Sequence, residues 1–174
     1  YFNGAGFISV SDNPTLNFWT GNYSIALWAK TDNVLERDMF IEKWYDNVGG
    51  YYGYYSEIYL DNQYYIASGC HSWCTPSGWN WISWVSADRK NWHYYTYVRE
   101  NLIWKIYIDN VLYGTGSFSL NVSNTQPLMI GSEWNPAGNY VPSSNIMNGT
   151  IDEVRIYNRA LSDSEIQALY SATK

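Results

Sequence analysis

Before residue 160 the apolar side chains of this chain recur at every second position, and nowhere with the 3.6-residue spacing of a helix. That rhythm restricts the fold to stacked or closed β-sheets. Short alternating segments bounded by Gly, Asn, Asp and Pro predict strands over 7–10, 24–30, 39–43, 52–60, 64–68, 81–86, 92–99, 103–108, 111–115, 128–131 and 151–157. Asp109-Asn110 lies between two of them and suits a two-residue hairpin, since both residues tolerate positive φ, and Asp61-Asn62 reads the same way. Trp104, Ile106 and Ile108 share a packed face and leave Lys105 and Tyr107 on a wet one. So many strands without a helix to cover a sheet favour two sheets packed face to face over a closed barrel. No repeat of roughly 20 to 50 residues supports a propeller or solenoid. No low-complexity linker divides the chain, so residues 1–174 read as one domain, expected to be a module excised from a larger protein.

The stretch from Gly149 to Tyr170 is the most specific. As a strand, its first part places Asp152, Val154 and Ile156 on one face and Ile151, Glu153, Arg155 and Tyr157 on the other. Asp152 is then in phase with the core, where an unpaired carboxylate costs roughly several kcal/mol. A bound metal ion is one candidate partner, and backbone amides at a sheet corner are the alternative. Downstream, Ser162 and Glu165 form an S-x-x-E capping box, and Leu161 can staple onto Ile166. A short helix is expected from Asp163, burying Ile166, Leu169 and Tyr170 and fraying near Ser171.

Charge excludes some partners. At a net charge of -6, with 10 scattered Lys and Arg, the chain lacks the clustered cations that nucleic acids and anionic membranes require. No apolar run approaches the roughly 18 residues of a bilayer span. Cys70 and Cys74, separated by His-Ser-Trp, can close a small disulfide loop, whereas His71 and His93 alone support a zinc site poorly. A disulfide implies an oxidising, extracellular compartment, with which the sequons at Asn22, Asn121 and Asn148 are compatible.

The 10 Trp and 18 Tyr far outnumber the 5 Phe, so the aromatic excess lies in rings with a polar handle. Such rings pack on the C–H faces of sugars while Asn, Asp and Gln bond the hydroxyls. Turn-like surroundings make Trp44, Tyr45, Trp73, Trp79 and Trp134 the candidate carbohydrate contacts, Trp73 foremost because the disulfide would pre-organise its loop. Trp28, Trp92 and Trp104 are assigned to the core. Catalytic signatures are missing: there is no H-E-x-x-H and no G-x-S-x-G. Glu36 and Asp38 have glycosidase-like spacing but read with Arg37 as a solvated loop.

Several phrases together carry a resemblance: Phe2-Asn-Gly, Tyr23-Ser-Ile-Ala-Leu-Trp-Ala-Lys, Trp92-His with Ile106-Tyr-Ile-Asp-Asn, Pro127-Leu-Met-Ile-Gly, and Gly149-Thr-Ile-Asp-Glu-Val-Arg-Ile-Tyr-Asn-Arg-Ala-Leu-Ser. In order and spacing the whole chain resembles the laminin-G-like, concanavalin A-like lectin superfamily. The resemblance implies an all-β, two-sheet antiparallel jelly-roll sandwich closed by a short C-terminal helix. It also implies a structural calcium held by Asp152, Asn3 and Gly4, with Asn3 standing where Asp is commoner. The function expected is a non-catalytic, extracellular module that binds oligo- or polysaccharides. The alternative is an adhesion module for a protein partner.

Overall fold

The computed structural model describes residues 1–32, 38–47, 50–58, 63–69, 81–86, 88–117, 122–133 and 146–174, and of 45–47, 50–52, 55, 57–58, 63–69 and 81–86 the backbone alone. Among these residues the alternating segments become β1 (Phe2–Asn3), β2 (Ile8–Val10), β3 (Tyr23–Thr31), β4 (Asp38–Asn47), β5 (Gly50–Ile58), β6 (Gln63–Gly69), β7 (Trp81–Ser86), β8 (His93–Glu100), β9 (Ile103–Ile108), β10 (Val111–Ser117), β11 (Leu128–Ile130) and β12 (Asn148–Tyr157), followed by α1 (Asp163–Thr173). The strands form two six-stranded sheets, ordered β1-β12-β3-β8-β9-β10 and β2-β11-β4-β5-β6-β7. Every pairing is antiparallel, as a jelly-roll sandwich requires.

Between the sheets lie Tyr23, Ile25, Leu27 and Ala29 of β3, Tyr95 and Tyr97 of β8, and Trp104, Ile106 and Ile108 of β9, facing Phe40, Ile41, Tyr54 and Leu128. Tyr23 organises this core, stacked on Phe18 at 4.4 Å and meeting Trp104 edge-on at 5.6 Å. Asp109 and Asn110 have φ of 50° and 66°, the pair of left-handed residues that a tight β9–β10 hairpin needs. Asp61 and Asn62 lie outside the described residues.

The outer face of the first sheet is dry where α1 crosses it. Val98 and Tyr107 pack against Leu161 and Ile166, and Ala26, Trp28 and Tyr94 pack against Leu169 and Tyr170. Tyr107 is therefore buried, not wet as its register suggests, and its hydroxyl donates to Asp163 Oδ1 at 2.7 Å. The capping box forms as expected, with Ser162 as N-cap. The helix does not fray at Ser171: Thr173 donates to the Leu169 carbonyl and accepts from Trp28 Nε1, both at 2.8 Å.

Asp152 does not point into the core. Pairing slips between Asp152 and Arg155, where Glu153 takes a φ of 53°. The extra residue resets the alternation, so Ile151, Val154 and Ile156 pack on the core while Asp152 faces out beside Trp28. A carboxylate that is buried is Asp38, which sequence placed in a solvated loop. It is buried at the start of β4, accepting from Thr31 Oγ1 at 2.5 Å and from the Asn148 amide at 3.1 Å, and so ties β3, β4 and β12 together.

Candidate functional site

The β12 bulge, the turn before β8 and the last turn of α1 meet around a surface pocket of about 530 Å³, lined by Trp28, Trp92, Asp109, Asp152, Glu153, Tyr170, Thr173 and Lys174. Its size falls within the roughly 300–1,000 Å³ of small-molecule sites. Trp28, Asp152 and Tyr94 stand in one row across β3, β12 and β8. Trp28 forms the floor, with Tyr170 nearly parallel to it at 5.7 Å and Tyr94 tilted against it at 5.2 Å. Burial raises the Tyr94 phenol to about 12, with smaller contributions from Tyr157 and Glu153 opposed by Arg155.

Trp92 forms an exposed wall, 40% accessible, with Lys30 Nζ at 5.4 Å over its ring. Its turn is held from several sides. Asp88 accepts from the Lys90 amide at 3.2 Å, the Asp88 carbonyl meets His93 Nε2 at 3.0 Å, and the Arg89 carbonyl accepts from the Thr31 amide at 2.7 Å. Opposite, Lys174 Nζ lies 5.4 Å from the centre of the Tyr170 ring.

The three carboxylates are differently engaged. Asp109 meets His93 Nδ1 at 2.6 Å and accepts from the Tyr94 amide at 2.9 Å, and Glu153 pairs with Arg155 at 2.5 Å. Asp152 accepts only the adjacent Glu153 amide, at 2.8 Å, among the described residues. The floor and walls are thus aromatic, the rim carries acceptors, and one carboxylate is left for a guest. The arrangement suits a sugar ring, whose C–H face stacks on indole while its hydroxyls donate to a carboxylate.

The sequence-based candidates distribute differently. Trp73, Trp79 and Trp134, with Cys70 and Cys74, lie outside the described residues, and of Tyr45 only the backbone in β4 is described. Trp44 is no loop contact, because it sits within β4 and is buried. Trp92 reverses its core assignment. Trp28 is buried as expected, but beneath α1 on the outer face and not between the sheets. A calcium ion takes six to eight oxygens, and Asp152, Asn3 and Gly4 do not converge on one. Asn3 pairs with Asn148, about 13 Å from Asp152 at roughly 3.3 Å per residue along β12. Asn3 Oδ1 accepts from the Ala5 amide, and the Gly4 amide donates to the Met147 carbonyl. The three do not fit a shared ion. The described residues contain no cluster of three or more His, Cys, Asp or Glu suited to a metal.

Trp19 went unnoticed in sequence. It is 64% exposed at a φ of 53°, with its amide donating to Ser123 Oγ and its carbonyl accepting from Val122 and Arg99.

Comparison with known families is decisive for ancestry, since residues 2–167 match the Laminin_G_3 family model, described as the concanavalin A-like lectin/glucanases superfamily. This chain belongs to that superfamily. Among curated protein sequences no relative is found. Solved structures similar to this Laminin_G_3 domain include the binding domain of botulinum neurotoxin DC in complex with rat synaptotagmin II, with a TM-score of 0.69 and 17% identity, covering 97% of this chain and 40% of that one. The same toxin's binding domain in complex with SialylT gives 0.66 and 16% over 97% and 40%. A botulinum neurotoxin type C chain, whose cell uptake depends on interaction with two ganglioside molecules, gives 0.68 and 18% over 97% and 40%. At these identities the likeness is one of fold. The domain spans about two fifths of the chains it matches.

Proposed function

We propose that this Laminin_G_3 domain is a non-catalytic carbohydrate-binding module and that the pocket between Trp92 and Tyr170 takes the glycan. The carrying observation is the preformed aromatic pocket with the under-used Asp152 carboxylate on its rim. The superfamily and the carbohydrate partners of the similar toxin domains support this reading. A glycosidase needs a general acid seated in apolar surroundings opposite a second carboxylate. Asp152 and Glu153 are instead exposed, and Asp109 and Glu153 each meet a basic side chain. An extracellular address accords with the toxin domains. Among the described residues no helix is long and apolar enough to cross a membrane, which says nothing of a β-barrel.

A protein partner is the second reading. It is favoured by β10, an edge strand that exposes Val111, Leu112 and Tyr113. A glycan array probed with the 174-residue chain discriminates the two. Specific binding that Trp92→Ala abolishes supports the carbohydrate reading, and silence across a broad array overturns it in favour of the edge strand.

A further inference from the structure

The segment leading into β3 carries an acceptor sequon, Asn22-Tyr23-Ser24, three residues beyond the exposed indole of Trp19. We infer that Asn22 carries an N-linked glycan and that Trp19 is the platform on which its first sugar ring rests.

The Gly21 amide donates to the Phe18 carbonyl at 2.7 Å, closing a tight turn of which Trp19 is the second residue. Three residues along, the Asn22 Cα is at most about 11 Å away, a gap that an indole and one sugar ring can bridge. For a bulky residue a φ of 53° is strained, and Trp19 recovers nothing by packing: no aromatic or cationic side chain among the described residues meets its ring. The conformation is nevertheless held firmly. Its amide donates to Ser123 Oγ at 2.7 Å, and its carbonyl accepts from the Val122 amide at 3.0 Å and from Arg99 at 3.2 Å. Gly or Asn would sit there at lower cost, so the gain from an indole lies outside the polypeptide. The C–H face of a sugar is the surface such a ring takes.

Asn22 presents the atom that the modification needs. Its Oδ1 accepts from the Asn101 amide at 2.6 Å, which fixes the orientation of the carboxamide. Its Nδ2 has no partner among the described residues and is not buried. In the transfer, Nδ2 attacks C1 of an oligosaccharide linked to polyprenol diphosphate. The N–C1 bond forms, the C1–O bond breaks, the lipid diphosphate leaves with the bonding electron pair, and Nδ2 gives up one proton. Ser24 sets the order of events, because it is fully buried with its hydroxyl donating to the Arg159 carbonyl and accepting from the Leu161 amide, both at 2.9 Å. Transfer therefore precedes folding, while Arg159 and Leu161 are still to be made. The other sequons lack this setting. Asn148 sits in the β1–β12 ladder, and Asn121 lies outside the described residues.

The test is secretion of the 174-residue chain from eukaryotic cells, trimming of its glycans to the first sugar with an endoglycosidase, and peptide mass spectrometry. Asn22 is expected to carry the remnant. Compared with the same chain made without the transferase, the remnant should raise the thermal midpoint by about 2–4 °C. Trp19→Phe should keep that gain and Trp19→Ala should lose it, with circular dichroism confirming that both variants fold. An unmodified Asn22 overturns the site. A missing gain, or one that survives in Trp19→Ala, overturns the platform. Neither result touches the pocket between Trp92 and Tyr170.

Discussion

At a φ of 53°, Glu153 holds its Cβ against its own carbonyl, at a cost of about 1 kcal/mol for any residue with a side chain. The strain persists because the flanking register is fixed, with Asp152 opposite Trp28 on one side and Arg155 opposite Ala26 on the other. Glu153→Gly should therefore leave stability within about 1 kcal/mol of wild type, since it relieves the backbone while giving up an exposed ion pair. Glu153→Val should lie about 1–2 kcal/mol below the glycine variant, because a β-branched residue resists this conformation. Urea denaturation of the two variants measures the difference. The bulge explains why Asp152 was misread in sequence. Strict alternation places it inward, and Glu, unlike Gly or Asn, does not signal a left-handed residue. Trp92 was hidden for a related reason: a tryptophan at the start of an apolar strand looks like core until the turn before it is seen to tilt it outward.

Helix α1 was legible at its beginning and not at its end. Its start is written in four consecutive residues, Ser162 to Glu165, and the cap itself is made by Ser162 and Glu165 with Arg159 beside them. Ser162→Ala should cost about 1 kcal/mol, measured by thermal or chemical unfolding. Arg159 first, then the Ser162 amide and hydroxyl, hold the Glu165 carboxyl at about 2, against an ordinary value of 4.5. A depressed pKa contributes stability above the unfolded value and loses it as the group protonates in the folded state. The cap's contribution should accordingly be complete above about pH 4.5 and fade toward pH 2. Glu165→Gln should remove that acid dependence from the helical circular dichroism signal. The helix end could not be read locally, because its stop is a bond from Trp28 to Thr173, 145 positions apart. The same bond seats Tyr170 and Lys174 at the pocket. Weakening the cap should therefore loosen one wall of the site as well as the helix.

Over the whole molecule, the chain's first strand closes the sandwich beside its last. Phe2 enters the core and rests on Gly131, where a Cβ would come within 2.5 Å of the Phe2 ring and φ is 82°. Gly131→Ala should lower stability by about 2–3 kcal/mol, with Phe2→Leu in the same background restoring part of it. This gives physical content to the Phe2-Asn-Gly phrase, which reads as packing and a turn. The sandwich class was legible because alternation reports one buried face per strand, but the order of strands is not local information. The family resemblance implied a jelly roll, and the order itself is seen only in the structure.

Strand order also bears on synthesis. At the centre of its sheet, β3 pairs with β8 and β12, and both are made later, β12 after every other described strand. On a ribosome adding roughly 5–20 residues per second, β3 would emerge with both edges bare and remain so for several seconds. Its apolar, β-prone backbone is the kind that pairs with strangers. Newly made chains should thus depend on holding chaperones until residue 157 clears the exit tunnel, and production yield should respond to translation speed more than to the stability of the finished fold.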